Sequence, residues 1–195
     1  MHCLNTNSIE VDASPLNVSR RQFLGALAAV PLLAFADRPA IANDAFWAQP
    51  RTLDLYRPAL KKRVQAVYWH QGRVAPGYAE ICQVLKDHRA DVAAPMDLRL
   101  LDLLCAMQAW VRYYGYRDPL QVNSGYRTVH NNARLEGAAR HSMHTKAKAA
   151  DIVFPGLPTS YVGKLATHYA GGGVGFYQDR GFIHVDTGRR RFWKG

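Results

Sequence analysis

Asp151 interrupts the apolar run Ala149-Ala150-Asp151-Ile152-Val153-Phe154, which Pro155-Gly156 closes. A short apolar run ended by a turn pair reads as a buried strand. A carboxylate inside such a strand is costly unless it is paired or holds a cation, so Asp151 asks for a partner. A second strand, Phe182-Ile183-His184-Val185-Asp186, alternates, and a period of two puts His184 and Asp186 on one face. His144 stands seven residues before Asp151. That is too far for a pair on one helical turn and suits a loop leading into a strand.

His, Asp and His are the donors that hold a catalytic zinc ion, with a fourth position left open for water. The ion lowers the pKa of that water to about 7, so hydroxide forms at neutral pH without a serine or cysteine nucleophile. The residues therefore point to metal-dependent hydrolysis. A histidine before a strand is equally compatible with a surface or core position, and the chain also holds His2, His70, His88, His130, His141 and His168. Spacing alone does not choose His144 over His141.

The segment Ser142-x-His144-x6-Asp151 resembles the S-x-H-x-x-G-x-A-x-D signature of the LAS zinc peptidases, the group of lysostaphin, D-Ala-D-Ala carboxypeptidases and sonic hedgehog. Ala147 stands where that signature has glycine, which bears on how tightly the loop turns. Asn123-Ser124-Gly125-Tyr126-Arg127 resembles the group's S-G-Y-R segment. Gly172 to Tyr177, His184 to Gly188 and Arg191-Phe192-Trp193 resemble the murein endopeptidase K branch, and the likeness runs from Arg51 to the C-terminus.

The resemblance implies an α+β fold, a small mostly antiparallel sheet with flanking helices of the LAS/hedgehog type. It also implies that His144, Asp151 and His184 bind Zn2+ and that Arg127 faces the substrate. A permanently charged guanidinium suits the oxyanion that forms when a peptide carbonyl is attacked; the alternative is a pair with a surface carboxylate. Many LAS peptidases place a Glu, Asp or His two or three residues before the last ligand, but here Phe182 and Gly181 stand there and neither takes a proton. Asp186 is the substitute, as a general base or as a group that orients a ligand. Its alternative is to cap the Thr187-Gly188 turn, and His141 is a weaker candidate base.

Residues 1–42 read as an export signal. Ser19-Arg20-Arg21-Gln22-Phe23-Leu24 leads into an apolar, alanine-rich run to Ala36 that is too short for a normal membrane span, and the paired arginines resemble the twin-arginine type. Cleavage fits after Ala36 or Ala42, leaving no stable membrane span; an uncleaved anchor is the alternative. The chain is expected to use the twin-arginine machinery and to work in the periplasm. Residues 43–50 read as a linker and 51–195 as one zinc peptidase domain.

The signal carries three arginines and three acids, so the net charge of +10 belongs to the working domain. A basic surface there suits the free carboxylates of cell-wall stem peptides. Export and the lack of a nucleic-acid module argue against a nucleic-acid partner.

Strands are expected over Arg51–Tyr56 and Val64–Trp69, forming a hairpin, and over Leu120–Asn123. Helices are expected over Ala79–Leu85, from Pro95 and Asp97 to Tyr114, over Asn131–Ala139 and over Ser160–Tyr169. The Gly171-Gly172-Gly173 run reads as a close backbone approach, a flexible segment or a plain turn. Cys82 and Cys105 fit either a disulfide or two small buried hydrophobes.

Together these readings describe an exported peptidase that cuts peptidoglycan cross-links. A D,D-carboxypeptidase trimming stem peptides would use the same ligands. A zinc-stabilised wall-binding domain without turnover is the reading from a different class.

Overall fold

The computed structural model describes residues 44–137, 139–169 and 171–195. The expected export signal, residues 1–42, lies outside the described residues. No helix among the described residues is long and apolar enough to cross a membrane.

Strands β1 (Arg51–Arg57) and β2 (Lys62–His70) form the expected antiparallel hairpin. Val64, Ala66 and Tyr68 of β2 turn inward while Lys62 and Gln65 stay exposed, the alternation of a half-buried strand. The two-residue β3 (Arg73–Val74) edges β2. Helices α2 (Gly77–Val84) and α3 (Leu98–Tyr113) follow. The start of α3 is the expected one: the Asp97 carboxylate accepts the Arg99 amide hydrogen at 2.9 Å, satisfying a donor the helix leaves free. Leu100, Leu101, Leu104 and Trp110 then drive one side of α3 into the core.

The remaining elements are β4 (Leu120–Ser124), α4 (Val129–Ala133), β5 (Ala149–Val153), α5 (Thr159–Tyr169), β6 (Gly173–Tyr177), β7 (Phe182–Asp186) and β8 (Arg191–Lys194). Among the described residues the eight strands join one sheet in the order β3-β2-β1-β4-β5-β7-β6-β8. Only β1–β4 and β6–β8 pair in parallel, so the fold is α+β with a mostly antiparallel sheet. Helix α5 packs on β6 and β7 and touches α3. Ala150, Ile152, Val174, Ile183 and Val185 are all buried in the shared core, each larger side chain contributing about 1.5–3 kcal/mol by leaving water. Alternation sends Asp151, His184 and Asp186 to the opposite face.

Three segments differ from their expected form. Residues 43–50, expected as a linker, contain helix α1 (Asp44–Ala48), whose Phe46 and Trp47 pack on the core. Helix α4 is earlier and shorter than Asn131–Ala139, because Thr128 caps it by accepting the Asn131 amide hydrogen. Gly173 opens strand β6 and residues 191–194 form β8; these two strands lack the apolar alternation that marks β2. Cys82 and Cys105 are both free and buried.

Candidate metal centre

Strand register writes the site in two rows. Asp151 pairs with His184 across β5–β7, His184 with Gly175 across β7–β6, and Gly175 with Trp193 across β6–β8. Paired residues share a face of the sheet, so Gly175 is the empty position between His184 and Trp193. Their rings approach to 5.2 Å between centroids, and a Cβ on Gly175 would lie 2.5 Å from the Trp193 ring. The adjoining row holds Ala149 paired with Asp186, then Gly173 paired with Arg191. A Cβ on Gly173 would lie 2.5 Å from both Asp186 Oδ2 and Arg191 Nη1. Close approach therefore explains why this stretch is glycine.

His144 reaches the first row from a 3-10 turn, Met143–Lys146, that Ser142 caps by accepting the His144 amide hydrogen at 3.3 Å. The turn ends at Ala147, buried and left-handed at φ 55°. An alanine there carries about 1–2 kcal/mol of strain that glycine would avoid. His144 Nδ1 lies 2.7 Å from the Gly125 carbonyl, which only accepts, so Nδ1 carries the hydrogen and Nε2 is presented. On His184 the roles are reversed: Nε2 donates to Asp186 Oδ2 at 3.0 Å, and Nδ1 is presented.

The three presented atoms converge. His144 Nε2 is 3.2 Å from Asp151 Oδ1 and 3.2 Å from His184 Nδ1, and His184 Nδ1 is 2.9 Å from Asp151 Oδ1. A tetrahedral ion with ligands at about 2.0–2.1 Å needs donors roughly 3.3 Å apart, so the set fits a metal ion. Burial pushes the Asp151 carboxyl up, but His144 and His184 outweigh it and hold its pKa well below the ordinary carboxylate range. Burial likewise pushes the His184 imidazole down, and its hydrogen bonds to Asp151 and Asp186 outweigh that and raise it. A cleft of about 450 Å³ opens over the three donors, walled by Arg127, Tyr177, Phe182 and Trp193.

Asp186 is 0% exposed and its oxygens are fully engaged. Oδ1 accepts from the amides of Gly173 at 3.1 Å and Gly188 at 2.8 Å and from Arg191 Nη1 at 3.1 Å; Oδ2 accepts from Arg191 Nη2 at 2.7 Å and from His184. Burial raises its pKa, but these donors prevail and hold it well below the usual range. Asp186 lies on the side of His184 turned away from Asp151, and the five hydrogen bonds occupy both of its oxygens, a geometry that favours the orienting reading over the general base. Its bonds to His184 Nε2 and to the Gly188 amide are those of a carboxylate that holds a ring in place and closes the Thr187-Gly188 turn. His141, the weaker candidate base, is exposed and lines the cleft.

Among the described residues Arg127 pairs with no surface carboxylate. Its nearest acid is Asp151, at 3.7 Å from Nη2, while Nη2 donates to Ser124 Oγ at 3.0 Å and Nη1 to Asn132 Oδ1 at 3.1 Å. The Arg127 amide donates to the His144 carbonyl at 3.1 Å, tying the two loops together. Burial lowers its pKa and Asp151 and Asp87 counter it; the guanidinium remains charged.

Sequence reasoning assigned no role to Arg191, to the Gly125 carbonyl or to the aromatic wall, where Tyr177 and Phe182 stack at 4.5 Å and Trp193 Nε1 donates to Tyr177 Oη at 3.1 Å. The alternation of Arg191 and Trp193 was a usable signal: a period of two puts both on one face. The Gly125 carbonyl has no signature in residue type.

Residues 45–193 match the family model described as peptidoglycan L,D-endopeptidase MepK. The chain is 33% identical over 183 residues to peptidoglycan L,D-endopeptidase MepK of Escherichia coli (strain K12), covering 91% of this chain and 98% of that protein. The same figures hold for the protein of that name from Shigella flexneri. A probable peptidoglycan L,D-endopeptidase MepK of Haemophilus influenzae is 36% identical over 117 residues, covering 57% of this chain and 61% of that protein.

Proposed function

This chain belongs to the peptidoglycan L,D-endopeptidase MepK family, and from that membership we propose that it is an exported zinc peptidase that hydrolyses L,D peptide cross-links of the cell wall. The observation that carries the reading is the convergence of His144 Nε2, Asp151 Oδ1 and His184 Nδ1 at the floor of an open cleft beside Arg127. These three residues would hold the ion. When bound there, zinc supplies Lewis-acid activation of water near neutral pH.

Each neighbouring side chain has a separable task. Asp186, anchored by Arg191, keeps the hydrogen of His184 on Nε2 and so presents Nδ1. The Gly125 carbonyl does the same for His144. Arg127, fixed by Ser124 and Asn132, meets the charge that develops on the carbonyl oxygen of the scissile bond. The aromatic wall excludes water from one side of the cleft and gives the peptide an apolar surface to lie on.

Export by the twin-arginine route to the periplasm is supported by Arg20-Arg21 before the apolar run, and the substrate by the excess of basic residues over acidic ones. The testing experiment incubates the purified protein with sacculi and reads the products by chromatography and mass spectrometry, with and without chelator and with His144→Ala. Zinc-dependent loss of cross-linked dimers, absent in the variant, is the expected result. Release of single terminal residues would make it a carboxypeptidase, and untouched sacculi would overturn the enzyme reading.

A further inference from the structure

A second cleft of about 190 Å³ adjoins the metal centre, and Arg127 and Leu135 line both. Arg57, at the end of β1, is part of its wall and only 2% exposed. Elsewhere in the fold a buried charge is matched: Asp54, 2% exposed, pairs with both Arg63 and Arg112. Arg57 has no carboxylate within 4.0 Å among the described residues. Its Nη1 donates to the Val122 carbonyl over 3.3 Å, its Nη2 lies 3.4 Å from His88 Nδ1, and its buried Nε has no hydrogen-bond partner. A guanidinium so placed is under-satisfied, a costly state that a bound anion relieves.

The cleft's own acid cannot supply that anion. Asp87 Oδ2 accepts from the Thr128 amide, Thr128 Oγ1 and Asn131 Nδ2, each at 2.8 Å, and Oδ1 accepts from the amides of Arg89 and Ala90 at 3.1 and 3.3 Å. Arg57, Arg89 and Arg127 therefore border the cleft against one committed carboxylate. Arginine is suited to bidentate capture of a carboxylate.

We propose that this cleft is a carboxylate subsite of the peptidase: a free carboxylate of the peptide substrate docks between Arg57 and Arg89, which aligns the scissile bond at the neighbouring metal centre. The proposal rests on the peptidase reading given above and names what that site selects, peptides with a free carboxylate over their amidated forms.

The test uses synthetic cross-linked stem peptides, and the corresponding uncleavable single stems, in which each free carboxylate is converted in turn to an amide. Calorimetric binding of the single stems reads the subsite independently of turnover. One amide should bind the wild-type protein about tenfold or more weakly, the scale of a charge-assisted pair, and be cleaved with a correspondingly lower kcat/KM. In Arg57→Gln that preference should shrink to within about twofold, with Arg57→Lys in between. Arg89→Gln, at an exposed position that leaves the core untouched, should also reduce it. Equal binding of all forms by the wild-type protein, or a preference that survives both Arg57→Gln and Arg89→Gln, overturns the subsite. Discrimination in binding with no cleavage of any peptide would keep the subsite and overturn the peptidase reading.

Discussion

Asp186 touches the candidate metal centre only through His184, from the side turned away from Asp151. Its five accepted hydrogen bonds leave no room for a donor, so Asp186→Asn turns an amide NH2 group toward Arg191, His184 or the glycine amides. We expect metal affinity to fall about 10–100-fold, the usual effect of losing a carboxylate behind a ligating histidine, as read by competition with a chromogenic chelator. Stability should drop by about 1–3 kcal/mol by urea denaturation, because the amide leaves buried donors around it unsatisfied. A variant that binds metal as tightly as the wild type would remove the orienting role. At this scale the sequence was partly legible. His144, Asp151, His184 and Arg127 sit in signature segments, and the register sets Asp151 and His184 side by side. The orienting and turn-capping options for Asp186 were readable from its place on the His184 face, but its anchoring was not, because it depends on Arg191 and on two backbone amides that only the folded sheet supplies. Arg57 was hidden for a different reason: an arginine ending a strand looks like a solvated charge until its burial is seen.

Between elements, the site is held by what β6 lacks. Gly175→Ala would drive a methyl group into the Trp193 ring and force β8 away from the row that holds His184. Overpacking of this kind costs about 1–3 kcal/mol, so the melting temperature should fall and tryptophan emission should shift as Trp193 leaves the wall. An unchanged melting temperature and spectrum would mean that the row tolerates a side chain at that position. The elements most readable in the sequence were those with a clean period: the β1–β2 hairpin and helix α3, whose Asp97 cap and leucine stripe agree. Strands β6 and β8 were obscured because glycine and arginine occupy the positions where an apolar alternation would appear, and these residues serve the site rather than the core. Helix α1 is hard to see in the sequence because five residues offer too little periodicity to register, although Phe46 and Trp47 carry its packing.

For the molecule as a whole, the sheet separates two environments, with α3 and α5 on the apolar face and the cleft on the other. The net charge of +10 sets how this body meets a polyanionic wall. Co-sedimentation with sacculi should weaken steeply as ionic strength rises from about 0.01 to 0.3 M, since the Debye length shrinks several-fold over that range. Salt-independent retention would show that charge plays no part in wall association.

Strand β8 adds a temporal dimension. It contributes Arg191 to Asp186 and Trp193 to the His184 row, yet it follows every other element of the site in chain order. A ribosome that has not passed residue 193 has therefore made a chain with the donors but not their setting. Synthesis thus delivers the three donors before Arg191 and Trp193, which brace the His184 row.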